Sequence, residues 1–309
     1  MSLKTLKGRD LLHLQEFKPW ELEGLLRLAL EFKHGLQHRS GLKGKIVGLI
    51  FEKPSTRTRV SIEVAVKRLG GSSIYMAGEE LQLGRREPIE DTARVLDRYL
   101  DCIAARVYSH DVLVKLAEYC RIPVINALSD LSHPLQALAD LLTIWERIGS
   151  LKGVKIAYIG DGNNVCNSLL IGCSKLGVNL AVACPEGYEP NHRFLEWAES
   201  NASESGCEVR ILRDPFEAVK GADVVYTDVF VSMGFESERD ARLKVFLPKY
   251  RVTSELIASA GKKAYFMHPL PCHRGEEVEA SVVEGPHSIV WDQAENRLYT
   301  AEAVLATLV

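Results

Sequence analysis

Short apolar runs rich in β-branched residues alternate with helical patterns along almost the whole chain, and this alternation constrains the fold more than any other feature. IVGLIFE (46–52), SSIYM (72–76), CIAARV (102–107) and PVINAL (123–128) read as strands. Between them, 55–69 reads as a helix stopped at Gly70-Gly71, Pro88 opens a helix through Tyr99, and 109–120 is helical. A long helix follows from Pro134 to Ile148. The pattern then restarts near Leu151-Lys152-Gly153, with strand candidates VKIAYIG (154–160), NLAVAC (179–184), CEVRIL (207–212), DVVYTDV (223–229) and KAYFM (263–267), and a last helix at 294–308. Strands separated by helical segments argue for parallel sheets flanked by helices on both faces. The expectation is an α/β protein of two such domains, 1–133 and 134–293, joined by the long helix at 134–148.

Length and composition agree. A chain of 309 residues is comfortable for two domains. Hydrophobic residues make up 46% and charged residues 26%, the balance of a globular protein with a full core. The net charge of −3, from 38 basic and 41 acidic residues, gives no electrostatic reason to expect nucleic acid or a membrane as partner. No run approaches the roughly 18 apolar residues of a spanning helix. The opening MSLKTLKGRDLLHLQ lacks the apolar core of a secretory signal. The seven cysteines, at 102, 120, 166, 173, 184, 207 and 272, form no CxxC pair, and most sit in apolar or helical contexts. These features point to a reduced, cytoplasmic setting and give no reason to expect zinc.

The most informative segment is Phe51-Glu52-Lys53-Pro54-Ser55-Thr56-Arg57-Thr58-Arg59, between a strand and a helix. A helix N-terminus offers free N–H groups and a positive dipole end, which suit an anion. Ser55, Thr56 and Thr58 add hydroxyl donors, and Arg57 adds a planar fork matched to phosphate oxygens. Plain helix capping needs one such hydroxyl, not three with two arginines.

Ser-Thr-Arg-Thr-Arg after an apolar strand resembles the carbamoyl-phosphate signature of the aspartate and ornithine carbamoyltransferases. Gln82-Leu83-Gly84 with Glu87 to Leu96, Arg106 at a strand end, and His133-Pro134-Leu135-Gln136-Ala137-Leu138-Ala139-Asp140 resemble further family segments in the same order. The resemblance implies that Ser55, Thr56, Arg57, Thr58 and Arg106 hold the phosphate. Thr58, Arg106 and His133 would hold the carbonyl oxygen, Gln136 the carbamoyl amide, and Gln82 would reach a neighbouring subunit's site. Arg57, Arg106 and His133 are the residues it marks as catalytic. Arg297, in Glu295-Asn296-Arg297-Leu298, matches a family arginine that completes the carbamoyl-phosphate site, so the last helix (294–309) is expected to pack back on the first domain. The family further implies trimers, an active site between domains, and neither a metal nor an organic cofactor.

The second half carries the acceptor. Gly160-Asp161-Gly162-Asn163-Asn164-Val165 is a strand-to-helix turn that could be misread as a nicotinamide fingerprint, but Val165 stands where the third glycine belongs. Ornithine enzymes of the family carry this turn, which implies that Asn164 contacts the amino-acid end of ornithine. They also carry a D-x-x-x-S-M-G loop, which Asp228-Val229-Phe230-Val231-Ser232-Met233-Gly234 resembles; the resemblance implies that Asp228 can pair with the α-ammonium and that Ser232 and the Met233 backbone can hold the rest.

One segment departs from the pattern. The ornithine enzymes usually read His-Cys-Leu-Pro after the last major strand, and this chain reads His268-Pro269-Leu270-Pro271-Cys272, as the aspartate enzymes do. The carbonyls of Pro269 and Leu270 can still face the carbamoyl NH2, since proline keeps its carbonyl. A thiol's influence on the reacting amine is missing. The departure favours aspartate as acceptor, whereas Asp228 with Ser232-Met233-Gly234 opposes it; putrescine would leave the amino-acid-binding groups unused. A catalytically silent member would lack Arg57, Arg106 or His133, and all three are present.

Overall fold

The structure is a computed structural model and describes residues 3–81, 87–232 and 234–309. The chain divides into two compact units, one of residues 1–142 with 296–309, the other of residues 143–295. Each is built on one parallel sheet with helices packed against it.

The first sheet holds β1 (Ile46–Phe51), β2 (Ser72–Ala77), β3 (Cys102–Arg106) and β4 (Val124–Leu128), in the spatial order β2-β1-β3-β4. Its strands are the four expected from their apolar runs. Ile50, Ile103, Ala105 and Val124 form a core with Leu113 and Leu116 of the helix His110–Tyr119. The chain before the first helix covers the β4 edge, where Leu11 N–H donates to Val124 and Asn126 N–H donates back to Leu11. From β1 the chain passes outward to β2, then returns to place β3 on the other side of β1. The order therefore reverses between β1 and β3, and the carboxyl ends of strands at such a switch point form the natural crevice of an open α/β sheet.

The second sheet holds β5 (Lys155–Ile159), β6 (Asn179–Ala183), β7 (Val209–Leu212), β8 (Val224–Thr227) and β9 (Tyr265–Met267), in the order β7-β6-β5-β8-β9. Here the reversal lies between β5 and β8. All pairings in both sheets are parallel.

The seam between units differs from the sequence expectation. It falls after residue 142, inside the helix Pro134–Ile148, rather than at 133/134. The first turns of this helix bury Leu135, Leu138 and Leu141, and Leu135 lines a small apolar space with Ile62, Ala104 and Ile125 of the first unit. Those side chains tie the start of the helix to the first sheet. The last helix is likewise longer than 294–308: it runs Val290–Leu308 and changes unit at 295/296. Its second part belongs with the first unit, where buried Glu302 pairs with Arg39 and Arg68. No helix of the described residues is long and apolar enough to cross a membrane.

Candidate active site

In the first unit the expected site residues stand at the carboxyl ends of β1, β3 and β4. After β1, Ser55 is the N-cap of the helix Thr56–Arg68, and its hydroxyl oxygen accepts the Thr58 N–H at 3.4 Å. Capping and ligand binding are compatible at one hydroxyl, which can accept from the helix and still donate its own proton. Thr56 is exposed, Ser55 and Arg57 are half-buried, and Thr58 is buried. Arg106 ends β3 at 5% exposure. His133, also buried, precedes the helix Pro134–Ile148 and accepts from Gln136 N–H at 3.0 Å.

A buried network joins these elements. Arg297 donates to Thr58 Oγ1 at 3.0 Å and to Gln136 Oε1 at 2.5 Å. Gln136 Nε2 donates in turn to Asp140 at 2.8 Å. An arginine donor on one side and a carboxylate acceptor on the other fix which way the Gln136 amide faces.

Burial, with Arg297 and Arg57 as like-charged neighbours, brings the Arg106 pKa down to about 10. Among the described residues no group accepts a hydrogen bond from the buried Arg106 Nε. Gathering cations at a buried position is unfavourable unless an anion compensates them. Burial, then the positive charges of Arg297 and Arg106, hold His133 well below the usual imidazole range. His133 is therefore a neutral ring near pH 7, able to donate one hydrogen bond without adding another positive charge.

In the second unit, the loop after β5 meets the loop after β8. Gly160 has φ 136, and a Cβ on Gly162 would lie 2.2 Å from the Pro190 backbone nitrogen. Both glycines are thus explained by the turn and by a close approach to 189–190, without any dinucleotide. Asn163, not Asn164, is the N-cap of the helix Asn164–Leu176, accepting from Val165 and Cys166 N–H. Its amide donates to Asp228 Oδ2 at 2.8 Å. Asp228 is 8% exposed and accepts its neighbour's Val229 N–H at 2.8 Å. Burial raises the Asp228 pKa, partly opposed by His268 and by the Asn163 and Val229 hydrogen bonds.

Asn163 and Arg242 tie these loops together, and the sequence reading gave neither of them a role. Arg242, in the helix Arg239–Phe246, reaches back to Asp161 and donates Nε–H to the Phe230 carbonyl at 2.7 Å. Its guanidinium lies over the rings of Tyr188, Phe235 and Phe246. Nothing in a short polar helix marks one arginine as buried. Asn163 could have been weighed with Asn164, because a strand-to-helix turn needs a cap.

Ser232 is half-buried in the loop after β8, and Pro269 and Leu270 are half-buried after β9. The expectations placed on Gln82 and Met233 lie outside the described residues. His273, Glu276 and Glu277 are the one grouping among the described residues with metal-ligand spacing. Arg239 engages Glu276, and His268 engages Glu277, so those carboxylates already have cationic or N–H partners.

Arginines and hydroxyls at the strand ends of one parallel sheet, and a buried carboxylate after a strand at the switch point of another, are the features of an α/β enzyme of two units. The chain belongs to the aspartate/ornithine carbamoyltransferase family: residues 9–146 match its carbamoyl-P binding domain, and residues 152–308 its Asp/Orn binding domain. Within the family, it is 55% identical over 308 residues to an ornithine carbamoyltransferase of Pyrococcus horikoshii, covering 98% of this chain and 96% of the relative. It is 54% identical to a Pyrococcus furiosus protein named ornithine carbamoyltransferase, anabolic, covering 98% and 96%. The solved ornithine carbamoyltransferase structure from Pyrococcus furiosus superposes with a TM-score of 0.94 at 54% identity, covering 98% of this chain and 97% of that one.

Proposed function

We propose that this enzyme transfers the carbamoyl group of carbamoyl phosphate to the δ-amine of L-ornithine, giving L-citrulline and phosphate. The observation that carries the reading is the pairing of chemistries: buried Arg106 with like-charged neighbours Arg57 and Arg297 in one unit, and buried Asp228 held by Asn163 in the other. The first suits a phosphate, the second an ammonium group.

Ser55, Thr56, Arg57 and Thr58 hold the phosphate with Arg106, and Arg297 orients Thr58 and Gln136 from behind. The neutral δ-amine attacks the carbonyl carbon and a C–N bond forms. Negative charge develops on the carbonyl oxygen, where Thr58, Arg106 and neutral His133 donate hydrogen bonds, and preorganised donors of this kind supply much of the rate in such reactions. The C–O bond to phosphate then breaks, and the nitrogen's extra proton is released as phosphate departs. Gln136 and the carbonyls of Pro269 and Leu270 hold the carbamoyl NH2. Asp228 pairs with the α-ammonium, and Asn164, Ser232 and Met233 hold the remainder of the amino-acid end.

Aspartate is disfavoured as acceptor because its second carboxylate needs a cationic partner, and Asp228 presents like charge there. The enzyme works in the cytoplasm without a metal or organic cofactor, as a trimer or multiple of trimers in which Gln82 completes a neighbour's site. The biosynthetic direction agrees with the name of the anabolic Pyrococcus furiosus relative.

The test is product formation from carbamoyl phosphate with ornithine, aspartate, putrescine and lysine offered separately. Citrulline from ornithine at a rate at least 100-fold above the others is expected. Preferential carbamoyl-aspartate, or no product with any acceptor, overturns the reading. Sedimentation of the purified protein tests the assembly.

A further inference from the structure

A buried acid behind the turn that follows β9 has no part in the reaction as described so far. Glu277 is fully buried. Its Oε1 accepts from His268 Nε2 at 3.2 Å and from the His273 N–H at 2.5 Å. His268, 1% exposed, is fixed on its other sides: its N–H donates to Gln293 Oε1 at 2.9 Å, and its Nδ1 accepts the Leu270 N–H at 2.9 Å.

These contacts settle the ring's tautomer. A backbone N–H can only donate, so Nδ1 must present its lone pair and the ring proton must sit on Nε2, facing Glu277. Leu270 needs that support. Its φ is 56, in the left-handed region that a leucine side chain disfavours and that persists only where surrounding contacts impose it. With the opposite tautomer, Nδ1–H would face the Leu270 N–H and the turn would lose the bond that holds it.

We infer that Glu277 is a positioning residue for carbamoyl transfer, holding His268 in the one tautomer that braces the Pro269-Leu270 turn. The inference rests on the proposed function, in which the carbonyls of that turn take the carbamoyl NH2. It also accounts for a buried carboxylate, which is otherwise costly to place in an interior. Burial pushes the Glu277 pKa up, but the hydrogen bonds from the His268 ring and from the His273 N–H hold it below the ordinary glutamate value.

The experiment compares Glu277→Leu, which removes the acceptor, with Glu277→Gln, which keeps an oxygen at the same place. A turn displaced by about an ångström loses on the order of 100-fold in rate. The leucine variant should therefore lose about 10- to 100-fold in kcat, with the inhibition constant for inorganic phosphate unchanged, because the phosphate groups belong to the other unit. Glu277→Gln should recover most of the lost rate. Because Glu277 acts through His268, the double variant His268→Ala/Glu277→Leu should be no slower than the slower single variant. A leucine variant with wild-type kcat, a glutamine variant as slow as leucine, or multiplicative losses in the double variant would each overturn the inference. If the leucine variant does not fold, 15N spectra of histidine-labelled wild type decide: the His268 signal, identified by its loss in His268→Ala, should report a bare Nδ1 and a protonated Nε2. The reverse pattern overturns the inference. Wild-type citrulline formation is the control throughout; its absence counts against the proposed function and leaves the tautomer measurement standing.

Discussion

The Asn163 side-chain amide donates to Asp228 at 2.8 Å, joining residues 65 apart in sequence in the loops that follow two neighbouring strands of the second sheet. The bond aims one carboxylate oxygen and leaves the other on the Val229 N–H. The loop after β8 is thereby held in place before any ligand arrives.

This geometry sets the outcome of two substitutions. Asp228→Asn should raise the KM for ornithine about 10- to 150-fold, the equivalent of a charge-assisted hydrogen bond of roughly 1.5–3 kcal/mol. The KM for carbamoyl phosphate should move little. Asn163→Ala should raise the ornithine KM by a smaller factor, because Val229 still holds the carboxylate. Steady-state kinetics with each substrate varied in turn checks both, and equal losses for both substrates would refute the assignment of Asp228 to ornithine.

Arg57→Ala should lower kcat by at least about 100- to 1,000-fold, the range for removing one preorganised donor to developing charge. The fold should survive, since Arg57 is only half-buried at a helix start. Circular dichroism and turnover on the same preparation make the comparison. A folded variant with near-normal kcat removes Arg57 from the catalytic set.

His133 makes the stability of the fold depend on pH. Its folded pKa lies well below the model-peptide value near 6.5, through burial and the charges of Arg297 and Arg106. The unfolded chain then binds one proton more than the folded chain at pH values between the two. Stability from this group is present above about pH 6.5 and is lost as pH falls. The slope is about 1.4 kcal/mol per pH unit below 6.5 until the folded pKa is reached. Urea unfolding between pH 7.5 and 5.5 should show the wild type losing about 1.4 kcal/mol more than His133→Gln, which cannot titrate. Parallel losses in the two proteins would mean that His133 takes up its proton freely when folded.

Pro269 stands where the family's ornithine enzymes usually carry cysteine. The δ-amine resembles a lysine amine, with an unperturbed pKa of about 10.4, and only its neutral form attacks. Activity of the natural enzyme should therefore keep rising into the alkaline range. Pro269→Cys should shift the kcat/KM profile towards lower pH with little change in carbamoyl-phosphate affinity, because both residues keep the backbone carbonyl. Removing proline also frees the unfolded chain, so thermal midpoints belong beside the rates. An unchanged profile in a folded variant would show that the thiol does not set amine protonation.

Much of this protein was legible in its residues one neighbourhood at a time. The strands follow from apolar runs, because period and β-branching are local properties that a parallel sheet buried on both faces demands. The Ser55-Thr56-Arg57-Thr58 turn was legible as a helix start for the same reason: a cap and a first turn are built from consecutive residues. Tertiary structure decided what depends on distant partners. Arg297 meets Thr58 from 239 residues away, and Arg242 reaches Asp161 across 81. No pattern in either helix marks those arginines as buried. The seam inside the helix Pro134–Ile148 belongs to the same class, since a continuous helix gives no local sign of where its side chains change core. Sequence fixes which groups can donate, accept or carry charge. Burial and contact between remote segments decide which of them become a neutral imidazole, a buried arginine with like-charged neighbours or an aimed carboxylate, because those states depend on what surrounds each group and not on what precedes it in the chain.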